Sequence, residues 1–185
     1  AVGRVARGMI TFDEALALID SRVAPLGCER VSMEEAAGRT LATDAVAALP
    51  SPRHTISAMD GYAVRLNEVE PGVPLRVTGE VRPGQSAIAL ASGAAVRIFT
   101  GGVLPEGANC VIMQEYAMRD GDSVQFAPGF GPARHVRQKG SDFDRGDVVL
   151  PRGTKLDARS LVAAAATDAK QLEVYRQPSG SGLAA

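Results

Sequence analysis

From Leu41 to about Gln138, prolines and glycines recur every few residues, and no other feature of the 185-residue chain constrains its fold so strongly. In a helix interior proline costs about 3 kcal/mol and glycine about 1 kcal/mol relative to alanine, so this stretch cannot be built from long helices. Short β-branched runs lie between the breaks, at residues 75–78, 96–100 and 111–114, and such runs fit pleated strands. Asp120-Gly121-Asp122 separates Tyr116-Ala117-Met118-Arg119 from Ser123-Val124-Gln125-Phe126, which predicts a hairpin. Phe-Ala-Pro-Gly-Phe-Gly-Pro at residues 126–132 predicts a loop. The middle of the chain therefore reads as mostly β, with long irregular connections.

Both ends carry a different signal. Thr11-Phe12-Asp13-Glu14 is a capping box, in which side chains satisfy the first orphan N–H groups of a helix. Behind it Phe12, Ala15, Leu16, Ile19 and Val23 recur at helical spacing until Pro25 and Gly27 stop the run. Ser32-Met33-Glu34-Glu35 is a second capping box and predicts a helix of barely two turns before Gly38. Asp157 caps a final helix through the alanines of residues 163–166, and Leu172-Glu173-Val174-Tyr175 reads as a closing strand. Helices at both ends around a β middle predict an α+β fold. A discontinuous, helical and mixed domain is expected from residues 1–50 and 139–178. Residues 51–138 are expected as an inserted, mostly β domain of irregular sheets. The Ser- and Gly-rich residues 179–185 have the composition of a flexible tail.

Charge and composition exclude several function classes. Lys plus Arg number 20 against 21 Asp plus Glu, a net charge of −1, which argues against a nucleic-acid sheath or a polybasic membrane anchor. No apolar run approaches the roughly 18–20 residues needed to cross a bilayer. Arg4 and Arg7 stand near the N-terminus without a continuous apolar region after them, so no signal peptide is read and a cytoplasmic location is expected. Cys28 and Cys110 are too far apart for a metal knuckle, and neither His54 nor His135 has a Cys or His neighbour at zinc spacing. Aromatics make up only 4% and tryptophan is absent, leaving little for base stacking.

Three motifs could carry chemistry. Ser57-Ala58-Met59-Asp60-Gly61-Tyr62 puts a carboxylate beside a glycine at the mouth of an apolar strand. In a tight turn with its oxygens free, Asp60 could hold Mg²⁺ or orient the counter-ion of an oxyanion; the alternative is a turn aspartate bonding its own backbone. Further on, a strand ends in Thr100-Gly101-Gly102, where backbone N–H groups can face an anion. It is no P-loop, since no Gly-Lys-Ser/Thr follows and Pro105 blocks an immediate helix, and a plain turn is the alternative. Asp142 follows Arg134, Arg137 and Lys139, which read either as an attraction for an anion or as a solvated basic face. Glu106 and Glu115 read as structural.

Together with Leu104-Pro105-Glu106-Gly107-Ala108-Asn109 and Val111-Ile112-Met113-Gln114-Glu115, these segments resemble the N-terminal half of the MoeA family, the molybdopterin molybdenumtransferases, whose eukaryotic relative is the E-domain of gephyrin. The resemblance extends to about Pro178. It implies insertion of molybdate into adenylylated molybdopterin, with Mg²⁺-assisted loss of AMP. It implies a homodimer whose cleft forms between the pterin-binding domain of one subunit and the β-domain of the other. It also implies catalytic roles for Asp60, Thr100 and Asp142, with Asp60 as a Mg²⁺ ligand, and substrate contacts from Ser57, Gly101, Gly102 and Arg137.

Two departures from the family pattern stand out. Many relatives carry Gly-Glu-Asp where this chain has Gly140-Ser141-Asp142, and Asp-Asn where it has Thr55-Ile56. The glycine-rich signatures of the family's pterin-binding domain are missing, as is its C-terminal β-domain. The chain is accordingly expected to supply one wall of the cleft and the dimer interface, and to be inactive alone. The rival reading is a non-catalytic dimerisation or scaffold module, which has no need to gather Asp60, Thr100 and Asp142 on one concave surface.

Overall fold

The computed structural model describes residues 10–178, and sheet dominates it. In chain order the elements are α1 (Phe12–Arg22), β1 (Cys28–Ser32), β2 (Ala45–Val46), β3 (Ile56–Ser57), β4 (Gly61–Val64), β5 (Leu75–Val81), β6 (Ala94–Ile98), β7 (Cys110–Met113), β8 (Ala117–Asp120), β9 (Ser123–Phe126), β10 (Val136–Arg137), β11 (Val148–Leu150), α2 (Ala158–Ala166) and β12 (Gln171–Tyr175). They fall into two compact units. One holds residues 10–45, 150–163 and 170–178, and the other Val46–Val149 with Ala164–Ala169. The expected tail at 179–185, like Arg4 and Arg7, lies outside the described residues.

The first unit joins the two ends of the chain. β1 and β12 pair antiparallel, from Cys28 opposite Tyr175 to Ser32 opposite Gln171. Val31, Leu41, Leu156, Leu172 and Val174 are its buried aliphatic side chains. The first capping box forms as expected: the Thr11 N–H donates to Glu14 Oε2 at 2.8 Å, and the Glu14 N–H to Thr11 Oγ1 at 3.2 Å. Yet α1 buries no residue at all; Phe12 is 77% exposed and Ile19 56%. The second box also closes, with the Ser32 N–H donating to Glu35 Oε2 at 3.0 Å. No helix follows it, because residues 33–38 are turns. Ser32 is already held in the β1–β12 ladder, and the Gly38 N–H donates to the Leu156 carbonyl at 2.8 Å. Strand pairing thus overrides a local helix signal.

The second unit is built on a six-stranded sheet in the order β7-β4-β6-β5-β9-β8. Only β5 and β6 run parallel; the other neighbours are antiparallel. Both faces are buried. Tyr62, Val64, Ala95, Cys110 and Ile112 pack on one side with Phe126, while Ala63, Val96, Ile98 and Val111 pack on the other. Alternation along each strand divides the two sets, and burial on both faces explains why these strands read as continuous apolar runs. Gly61 is required where β4 meets β7, since a Cβ there would overlap the Ile112 carbonyl. The expected hairpin is present as β8 and β9, with Asp120 paired to Ser123. Residues 139–149 group with this sheet unit: the Gly140 N–H donates to the Pro52 carbonyl and the Asp142 N–H to the Ser51 carbonyl. The unit boundaries accordingly fall at 45/46 and 149/150, where the sequence reading sets 50/51 and 138/139.

Candidate functional site

Two corners of the sheet unit hold the residues singled out in the sequence. In the first, the chain leaves β3 at Ser57, bends through Ala58 and Met59, and enters β4 just after Asp60. Asp60 Oδ1 accepts two hydrogen bonds from Thr100, one from its N–H and one from its hydroxyl, each at 2.8 Å. Asp60 is therefore not a turn aspartate bonded to its own backbone. It clamps the Thr100 loop from forty residues away. Oδ2 accepts no hydrogen bond among the described residues. The Thr100 N–H, then its hydroxyl, hold the Asp60 carboxyl below its ordinary value, and the nearby Arg97 guanidinium adds a smaller pull in the same direction. Asp60 is an anion at neutral pH.

Ser57, Gly101 and Gly102 complete this corner from inside. The Ser57 N–H donates to the Gly102 carbonyl, and the Gly101 N–H donates to the Ser57 carbonyl, both at 2.9 Å. Ser57 Oγ is buried and donates to the Met59 carbonyl at 2.5 Å, so its hydroxyl serves the bend. The Gly102 N–H donates to the Phe99 carbonyl at 2.8 Å. All three N–H groups of Thr100-Gly101-Gly102 thus have partners within the protein, which corrects the expectation that they face an anion. The glycines have other reasons to be there. Gly101 sits at φ +82°, where side chains are strained. At Gly102 a Cβ would lie 2.9 Å from the Phe99 carbonyl oxygen and 3.0 Å from that of Val81.

The second corner is organised by β3 pairing with β10, Ser57 opposite Val136 and Ile56 opposite Arg137. Arg137 Nη2 donates to both oxygens of Asp142 at 2.8 Å, and Ser51 Oγ donates to Asp142 Oδ2 at 3.1 Å. Asp142 is thereby paired with a cation. No hydrogen bond links it to Asp60 or Thr100 among the described residues.

One residue of the first corner escaped the sequence reading. Arg97 on β6 donates to the Gly61 carbonyl at 2.9 Å and to Gln114 Oε1 at 2.6 Å. Its guanidinium lies 4.6 Å from the Phe99 ring centre and 5.3 Å from that of Tyr62, while Arg82 covers Phe99 at 4.7 Å. Such stacking holds a guanidinium in place while leaving its charge intact. The signal was available: a lone arginine inside the apolar run of β6 must be paired or stacked to be kept there.

This fold is that of the molybdopterin biosynthesis moeA proteins. Two solved structures of the moeA protein from Pyrococcus horikoshii superpose with a TM-score of 0.79, at 28% and 32% identity, covering 92% and 90% of this chain but 45% and 46% of theirs. The family described as the MoeA N-terminal region (domain I and II) matches residues 10–167, and the chain belongs to it. Among curated relatives, the molybdopterin molybdenumtransferase of Haemophilus influenzae is 36% identical over 172 residues, 91% of this chain and 43% of that protein. The one from a Nostoc species is 38% identical over 156 residues, 81% of this chain and 36% of its own length. The chain thus spans less than half the length of these relatives. No helix among the described residues is long and apolar enough to cross a membrane.

Proposed function

We propose that this chain is the N-terminal part of a cytoplasmic molybdenum cofactor biosynthesis enzyme that inserts molybdate into adenylylated molybdopterin and releases AMP. The observation that carries the reading is the Asp60–Thr100 clamp, an ionised carboxylate held by neutral donors with one oxygen left over. Two anionic substrates must meet in this reaction, so positive charge has to be gathered and held. Thr100 fixes the carboxylate in one orientation, Arg97 is stacked beside it, and Ser57, Gly101 and Gly102 keep the loop in register. Asp142 and Arg137 form a second, self-neutralised element of the same wall.

Mg²⁺ fits this corner as a shared ion. The described residues contain no group of three or more His, Cys, Asp or Glu that could cage a metal. Mg²⁺, however, is commonly held by one or two carboxylates together with substrate phosphates and water. Asp60 would be its protein ligand, and the ion would supply positive charge at the phosphate from which AMP departs.

The pterin-binding wall lies in the part of the relatives that this chain does not match, and α1 is proposed to contribute to a homodimer. Its stripe of Phe12, Leu16, Ile19 and Val23 is exposed throughout, and a helix this short needs a packing partner to be stable in water. Sedimentation at micromolar concentration is expected to give about twice the 19.2 kDa chain mass; a clean monomer would contradict an interface on this helix. The functional test is turnover. Incubated with adenylylated molybdopterin, molybdate and Mg²⁺, the chain alone is expected to release no AMP. Steady release would contradict the proposed division of labour. A purely non-catalytic dimerisation module would use α1 as well, but would not depend on the charge of Asp60.

A further inference from the structure

We propose that Arg97 is the positioning residue of the Asp60–Thr100 clamp, because its single side chain grips both halves at once. On the Asp60 side, Nη1 donates to the carbonyl of Gly61, the next residue, at 2.9 Å. Nη2 donates to Gln114 Oε1 at 2.6 Å, and the Gln114 N–H in turn donates to the carbonyl of Asp60 itself at 3.0 Å. On the Thr100 side, the guanidinium lies 4.6 Å from the ring centre of Phe99, the residue before Thr100. Register makes this reach possible. Arg97 stands opposite Tyr62 in the β4–β6 pair, and its guanidinium lies 5.3 Å from that ring centre as well. Two hydrogen bonds from a planar fork fix its direction and two rings fix its height, so the guanidinium has little freedom of its own.

A neighbouring arginine shows what is particular about this one. Arg82 also stacks on Phe99, at 4.7 Å, but its guanidinium is paired with Glu80 at 2.7 Å. The partners of Arg97 are a carbonyl, an amide and two rings, all of them neutral. Its charge is therefore not cancelled by the groups that hold it. The Thr100 N–H, then its hydroxyl, hold the Asp60 carboxyl down most strongly, and Arg97 is the charged group that adds to them. Both Thr100 bonds depend on keeping that residue 2.8 Å from Oδ1, and this separation is what Arg97 splints. Its loss accordingly acts on Asp60 twice, through the missing charge and through a loosened Thr100. A lysine can replace the charge but not the planar fork that joins Gly61 to Gln114.

The inference rests on the proposed function for the use made of Asp60, but its test reads the clamp itself and needs no turnover. In the isotope-labelled chain the Asp60 carboxyl is titrated by NMR, and hydrogen exchange of the Thr100 N–H is followed in parallel. Arg97→Gln is expected to move the Asp60 titration upward, toward its ordinary value, and to speed Thr100 exchange about tenfold, as for the loss of one hydrogen bond. Arg97→Lys is expected to restore the titration in part while the exchange stays fast. Gln114→Leu, at an exposed residue, keeps the charge and cuts one grip. It is expected to speed the exchange severalfold, and it carries the test by itself if Arg97→Gln does not fold. Arg82→Gln, which touches only the ring, is expected to leave both readings unchanged. Unchanged Thr100 exchange in Arg97→Gln or Gln114→Leu, full recovery of slow exchange in Arg97→Lys, or an equal effect of Arg82→Gln would each overturn the proposal. None of these results would disturb the role proposed for the Asp60 charge, which Asp60→Asn tests separately with Arg97 in place.

Discussion

Asp60, just past β3, and Asp142, bonded by Ser51 ahead of β3, are held in opposite ways. Asp142 faces a cation: both its oxygens accept from Arg137, and Ser51 adds a third bond. Asp60 faces neutral donors, and only one of its oxygens is used. Hydrogen bonds from an N–H and a hydroxyl stabilise a carboxylate without cancelling its charge, whereas a guanidinium cancels it. The same residue type therefore yields an ion-paired brace at one corner and, at the other, a carboxylate held by neutral donors with Arg97 nearby. That difference is the reason the proposed function is built on Asp60 first.

The first way to break this contrast is through the backbone on which each corner rests. Gly61→Ala drives a methyl group into the Ile112 carbonyl at the β4–β7 contact. It is expected to cost about 3 kcal/mol, at the upper end of ordinary overpacking; denaturant unfolding would show it. A wild-type midpoint would mean that Asp60 is not anchored by the sheet. At the other corner the effect is smaller. Arg137 and Asp142 are exposed at 48% and 45%, so Arg137→Gln is expected to cost less than about 1 kcal/mol. A larger loss would make the Asp142 corner the structural keystone.

Acid separates the corners more finely. Because the folded-state carboxyl of Asp60 titrates below its unfolded value, the unfolded chain takes up the proton first as pH falls. The stability this group contributes is therefore present above the ordinary carboxylate value and lost as pH drops through the folded one. Thr100→Val removes the hydroxyl donor but keeps the N–H, so the Asp60 titration followed by carboxyl NMR is expected to move upward, partway toward its ordinary value. No movement would show that the hydroxyl does not act on Asp60.

Much of this architecture was legible in the sequence, and the failures have physical causes. Apolar runs between prolines and glycines marked β5, β6 and β7, and Asp120-Gly121-Asp122 marked the β8–β9 hairpin, because these signals are local. Ser32–Glu35 misled because the capping box is real but the strand ending at Ser32 had already claimed the backbone. Thr100-Gly101-Gly102 was legible as a special turn, as its Gly102-to-Phe99 bond shows, but not in its use: that its other N–H groups bond Asp60 and Ser57 follows from contacts distant in sequence. For the same reason the direct bond between Asp60 and Thr100, and that between Asp142 and Arg137, could not be read from the sequence. The Tyr62 partner of Arg97 is a cross-strand relation that needs the register, whereas Phe99 lies two residues along the same chain and could have been read with it.

The most direct measurement joins this chain to the downstream half of a full-length relative, introduces Asp60→Asn, and records both the thermal midpoint and the rate of molybdenum insertion. Asparagine keeps the shape and can still accept from the Thr100 N–H and hydroxyl, so only the charge is removed. The expected result is a midpoint close to that of the unsubstituted protein, with a rate lower by roughly 10²–10³-fold, as for the loss of one preorganised electrostatic contact. A rate within about twofold of the unsubstituted protein would contradict the account, and would leave Asp60 as a brace of the Thr100 loop.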